Sequence, residues 1–202
     1  MIRLHGMASS SEADRNRRYA GAERRWRIAL TIVLALYGVQ ILRTPESYRW
    51  LDSLDLAIHE SGHLIFAFGG EFLGLLGGTL SQLLIPAAFA VAFWRQGDRH
   101  GATVPLWWLG QNCINIAIYI KDARLQELPL VGGGEHDWFL LLDRFGMLES
   151  ELAIGRMVTA LGALCFGTAV VAGWRLLSSR EQPQQSEVAA SPTGAPRRAR
   201  VR

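Results

Sequence analysis

Apolar residues in this 202-residue chain come in blocks. Five apolar stretches stand between polar ones: residues 28–42, 54–69, 72–94, 103–120 and 157–174. Blocks of this length predict helices, and roughly 20 apolar residues are needed to cross a hydrocarbon core. The stretch 54–69 is shorter than that and predicts a helix entering only part-way. The expected fold is all-α, a polytopic membrane helix bundle with four to five apolar segments. Four full spans plus one partial helix fit best, because the positive-inside rule asks for both arginine-rich ends on one face.

The flanks divide the chain into three parts. Residues 1–26 form an arginine-rich cytoplasmic segment, 27–178 a membrane domain, and 179–202 a disordered tail rich in Gln, Ser, Pro, Ala and Arg. The first apolar stretch lacks a small-x-small cleavage site after it and predicts an uncleaved signal anchor. Trp26, Trp50, Trp94, Trp107, Trp108 and Trp174 lie near ends of apolar stretches, as an interfacial aromatic belt would place them. Gly70, Gly74 and Gly78, and then Thr159, Ala163 and Gly167, recur every four residues and predict small faces for close helix packing. Phe139-Leu140-Leu141-Leu142 predicts a short interfacial piece, and Gln82 a polar group facing the bundle interior.

Half the residues are hydrophobic and the net charge is only +3, carried by terminal arginines. A nucleic-acid partner is excluded, and membrane lipids are the expected surroundings. The expected location is the bacterial inner membrane, with the N-terminus in the cytoplasm. Cys113 and Cys165 both fall in apolar stretches and predict buried thiols, without a disulfide framework or a cysteine zinc motif. His100 sits in the charged connection 95–102 and is expected to be solvated.

The second stretch carries the chemistry. His59-Glu60-Ser61-Gly62-His63 is set among aliphatic and aromatic residues. Positions i and i+4 share a helix face, so His59 and His63 aim two imidazoles at one point. Three ionisable groups in an apolar segment are costly unless they pair or bind something. Two histidines with a glutamate between them suit a zinc site in which Glu60 takes a proton from metal-activated water. A catalytic zinc site needs a third protein ligand. Asp122, His136 and Asp137 are the candidates, and the residue pattern does not choose among them. Asp55, one turn before His59, serves either the helix start, capped by Ser53, or as a hydrogen-bond partner of His59. Asn112, Asn115, Tyr119 and Asp122 are spaced three, four and three apart, a polar face on a membrane helix that predicts a functional cavity.

On these residues the chain resembles the site-2 protease-like family of intramembrane zinc metallopeptidases. The likeness covers roughly residues 54–122: the His59–His63 pentad in an apolar helix, then Asn112, Asn115 and Asp122 in a later one. Asp122 matches the family's ligating aspartate but is followed by Ala123-Arg124 where the family pattern has glycine. The resemblance implies hydrolysis of a membrane-protein substrate, with zinc as cofactor, Glu60 as general base, and Asn112 or Asn115 holding the substrate backbone or the oxyanion. Two alternatives use the same residues. One is a membrane zinc hydrolase acting on a lipid or another amide. The other is a non-catalytic membrane protein whose metal is structural, closed by four protein ligands.

Overall fold

The computed structural model describes residues 3–129 and 136–178, with side chains from residue 15 onward. The predicted disordered tail lies outside the described residues. Six α-helices follow one another: α1 (Arg3–Arg43), α2 (Trp50–Phe66), α3 (Glu71–Arg95), α4 (Thr103–Asp122), α5 (Asp137–Arg144) and α6 (Glu151–Ser178), with short 3-10 turns at Ala67–Gly69 and Leu148–Ser150. Among the described residues there is no strand. The fold is all-α, as the blocked pattern predicts.

Among the described residues, three helical segments are long and apolar enough to cross a membrane: Arg15–Arg43, Glu71–Arg95 and Leu148–Ser178. This is fewer than the four to five apolar segments expected. α2 has only 17 residues and is interrupted by its ionisable groups. α4 has 20 residues, but Gln111, Asn112 and Asn115 dilute its apolar character, and more than half of its residues are buried against other helices.

α1, α3, α4 and α6 alternate in direction. Arg27 donates from Nη1 to Asp98 Oδ1 at 3.1 Å, tying α1 to the α3–α4 connection. Thr31 Oγ1 stands 3.1 Å from His100 Nε2, and a Cβ added at Gly173 of α6 would meet Thr31 Oγ1 at 3.3 Å. At the other end of the bundle, Lys121 near the end of α4 donates to Thr159 near the start of α6 at 2.9 Å. The start of the apolar part of α1 and the end of α6 therefore share one face. His100 is buried there, not solvated, because its loop folds back onto α1.

In lipid, helices gain little from hydrophobic association, and close packing holds them together. α4 crosses α6 where Gly110 and Gly162 face each other; a Cβ on either would come within 3 Å of the other's carbonyl oxygen. Gly167 has open space around it, so the expected Thr159–Ala163–Gly167 face is not the packing face of α6. Gly155 and Gly162 take that place, seven residues apart rather than four. Trp107 is buried and stacks between Tyr37 (5.5 Å) and Phe166 (4.9 Å), with its indole N–H on Leu34 O at 2.9 Å. It belongs to the core and not to an interfacial belt, whereas Trp26, Trp50, Trp94 and Trp174 are exposed.

α2 and α3 form a tight pair around Gly62 and Gly77. A Cβ on Gly62 would collide with the Gly77 carbonyl. Gly70 caps α3 at φ +91°, a conformation that disfavours any residue with a side chain. α2 starts earlier than Ser53 predicts. Asp52 Oδ2 accepts from Arg49 N at 2.6 Å and fixes the first turn, while Ser53 is bonded to the Tyr48 hydroxyl. Asp55 therefore lies inside the helix and plays no part in its start.

Candidate metal centre

The α2–α3 pair positions both histidines of the pentad. His59 lies flat against Gly78, whose missing Cβ would otherwise sit about 2.5 Å from the ring. Its Nδ1 faces Gln82 Oε1 at 2.8 Å. One turn on, His63 Nδ1 faces the Gly74 carbonyl at 2.7 Å. The glycines expected as a packing stripe thus serve the site as well: Gly74 supplies an acceptor and Gly78 supplies room.

A neutral imidazole has one N–H and one lone pair. Both Nδ1 atoms face oxygen acceptors and so carry the hydrogens, which leaves a lone pair on each Nε2. Those two lone pairs converge on one atom. Asp137 Oδ2 is 3.0 Å from His59 Nε2 and 3.1 Å from His63 Nε2. Two lone-pair nitrogens and a carboxylate oxygen repel one another unless a proton or a metal cation lies among them. The ligand atoms of His59, His63 and Asp137 all lie within 4.8 Å of each other. Two imidazoles and a carboxylate form a usual catalytic zinc set, and these residues fit that ion.

The orientation of Gln82 is itself set. Its Nε2 donates to Asn115 Oδ1 at 3.1 Å, and Asn115 Nδ2 points at Asp52 Oδ1 at 3.4 Å. Gln111 Nε2 donates to the same Asp52 oxygen at 2.9 Å. A carboxylate only accepts, so each amide in turn presents its oxygen to the next group. The chain runs from Asp52 through Asn115 and Gln82 to the tautomer of His59.

Asp137 opens α5. His136 caps that helix, its Nδ1 accepting from Phe139 N at 3.2 Å, and so fixes where Asp137 projects. A cavity of about 420 Å³ opens beside the three ligand atoms. Glu60, Gln82, Asn115, Tyr119 and His136 supply polar groups to its wall; Leu56, Leu75, Ile116, Trp138 and Leu140 supply apolar ones.

Of the three candidates for third ligand, the fold brings Asp137 to the histidines. Asp122 is occupied elsewhere, its two oxygens accepting from the backbone N–H groups of Glu127 and Leu128 at 3.0 Å each. It ends α4 and holds the reverse turn that follows. The polar face of α4 divides accordingly. Asn115 and Tyr119 line the cavity, whereas Asn112 is fully buried away from it, donating to Trp108 O at 3.1 Å. Asp55 is buried and accepts from Trp108 Nε1 at 2.8 Å, so its partner is α4 and not His59. Asp52 was missed as a site residue. It stands seven residues before His59, on the face that also carries Leu56 and His63, and that spacing was a readable signal.

No protein-family model, curated protein or solved structure matches this chain.

Proposed function

We propose that the chain is a membrane-embedded zinc-dependent metallopeptidase, a divergent relative of the site-2 protease-like family. The observation that carries the reading is the meeting of His59 Nε2, His63 Nε2 and Asp137 Oδ2 beside a cavity with Glu60 on its wall. A zinc ion held by these three would supply Lewis acidity for an amide carbonyl and make water acidic enough to deprotonate near neutral pH. Glu60 accepts the proton of the attacking water and returns it to the leaving amine. Asn115 and Tyr119 offer hydrogen bonds to an extended substrate backbone, and the apolar wall accepts its side chains. Three protein ligands leave a position open for reaction, which argues for an enzyme over a structural metal site closed by four.

α4 is proposed as a fourth membrane crossing, shielded from lipid by its neighbours, with α2 entering part-way. Both ends of the described chain then face the cytoplasm, where Arg15, Arg17, Arg18, Arg24, Arg25, Arg27, Arg95, Arg99 and Arg175 gather. Terminal tags accessible on opposite sides of intact cells would overturn this topology. The substrate is a membrane protein reached through the bilayer.

The test is metal content and hydrolysis on detergent-purified protein. Wild type should carry about one zinc per chain, as a three-ligand site binds. His59→Ala, His63→Ala and Asp137→Ala should lose it, and Asp122→Ala should keep it. Glu60→Gln should keep zinc and lose hydrolysis of a fluorogenic peptide library. Wild type that takes up no added zinc, or a Glu60→Gln variant that still cleaves, would refute the reading.

A further inference from the structure

At its basic end α1 is grooved against α6. Arg17, Arg24 and Arg27 stand on one face of the continuous helix and line the groove. Between them the side chains are small: Ala20 and Gly21 form the floor, together with Leu177, which is buried near the end of α6. The groove encloses about 340 Å³, within the range of small-molecule sites, about 300–1,000 Å³. A Cβ on Gly21 would meet nothing nearer than Arg25 Nη1 at 3.9 Å, so helix packing does not require the glycine that keeps the floor low. Arg27 is fixed in place, its Nη2 on Glu23 Oε1 at 2.8 Å and its Nη1 on Asp98 Oδ1 at 3.1 Å. Those two carboxylates offset the charge of Arg27. Arg17 and Arg24 line the same groove, with no acid besides Glu23 among its described lining residues. Trp26, next to Arg27, and Trp174, three residues before Leu177, are both exposed, as interfacial tryptophans are. Gly21 lies five residues outside Trp26, about 7.5 Å along the helix. The polar layer of one leaflet is about 5–7 Å deep, so the groove sits at the level of the headgroups.

We propose that this groove binds the headgroup of an anionic phospholipid, with Arg17 and Arg24 holding its phosphate. A guanidinium presents a planar fork of donors that meets phosphate oxygens two at a time. Basic pockets between membrane helices suit such headgroups. The low floor at Ala20 and Gly21 lets the phosphate sit between the arginines instead of above them. Further along α1, Ile32 and Leu36 are exposed and offer an apolar surface to the acyl chains. A soluble phosphate ester carries the same charge but has no chains to place there. Because Leu177 belongs to α6, an occupied groove bridges the first and last helices of the bundle. Binding here needs α1 and α6 in a membrane and nothing of the metal centre.

The full chain in neutral detergent is titrated with dioctanoyl phosphatidylglycerol or dioctanoyl phosphatidylcholine, and bound lipid is counted by native mass spectrometry. Wild type should take up the anionic lipid about tenfold more tightly than the zwitterionic one. The double variant Arg17→Gln/Arg24→Gln should bind phosphatidylglycerol about thirtyfold more weakly, the effect of two arginines near a membrane surface. Arg18→Gln/Arg25→Gln removes the same charge from residues outside the groove and should stay within a few-fold of wild type. Gly21→Leu fills the floor at unchanged charge and should weaken binding as the first pair does. Leucine is the better helix former, so this variant keeps the test decisive should the arginine pair fail to fold. Thermal unfolding without lipid is the control for each protein. Equal losses in the two arginine pairs, with Gly21→Leu at wild-type affinity, would reduce the groove to diffuse charge and overturn the proposal. Equal wild-type affinity for the two lipids would overturn it as well. Displacement of the lipid by an equal concentration of glycerol 3-phosphate would make the occupant a soluble phosphate ester and overturn the assignment to lipid. None of these outcomes touches zinc content or peptide hydrolysis, which are measured separately.

Discussion

The histidine tautomers give the sharpest test of the site. Gln82→Met removes both hydrogen bonds of a nearly fully buried side chain while roughly keeping its volume. The bond to His59 Nδ1 is 2.8 Å and the bond to Asn115 is 3.1 Å, so both are well formed. Without the first, the His59 hydrogen is free to move to Nε2, where it would block the lone pair that faces Asp137. Losing a partner of this kind typically weakens metal binding by about 10- to 100-fold, or about 1.4–2.8 kcal/mol. Asp52→Asn acts through one further link, the 3.4 Å contact to Asn115, which is the weakest in the chain. Its effect should be smaller, about threefold on the same scale. The assay is competition for zinc against a chromophoric chelator in detergent, with thermal unfolding of the metal-free protein as the control for folding. Zinc affinity of Gln82→Met within about twofold of wild type, below the range for such partners, would refute the claim that the Asp52–Asn115–Gln82 chain sets the His59 tautomer.

Two further predictions follow from close contacts. Gly78→Ala places a Cβ about 2.5 Å from the His59 ring; it should lower thermal stability by about 1–3 kcal/mol through overpacking and cut zinc affinity as well, whereas Gly167→Ala, with open space around it, should do neither. The Asp98 carboxyl is held below the usual carboxylate value, chiefly by the Gly101 N–H, with the Arg27 guanidinium adding to the effect against the opposing influence of burial. A carboxyl depressed on folding stabilises above its unfolded pKa of about 3.9 and loses that contribution as pH falls through the lower folded value. Asp98→Asn should therefore melt lower than wild type at pH 7 and approach it in strong acid; an equal gap at both pH values would count against a stabilising role for the ionised Asp98 carboxylate.

The sequence alone determined the all-helical character, the clustering of apolar residues into membrane-length blocks, and the pairing of His59, Glu60 and His63. These are local properties. Helical periodicity places i and i+4 side by side whatever the rest of the chain does, and the free energy of lipid immersion depends on the composition of a window of residues. Gln82 was legible for the same reason, since a lone amide in an apolar helix must turn inward. Tertiary structure alone decided which acid meets the histidines. Asp122 sits on the polar face of α4, yet the turn after α4 engages both its oxygens. Asp137, on a helix of eight residues beyond a glycine-rich connection, reaches the site because α5 docks against α3 and α4. No periodicity links residue 59 to residue 137; only the docking of separate elements sets that distance. The same holds for Asp52, whose effect on His59 passes through side chains of α4 and α3, and for the face shared by the apolar start of α1 and the end of α6, fixed by long-range contacts such as that of Thr31 with Gly173.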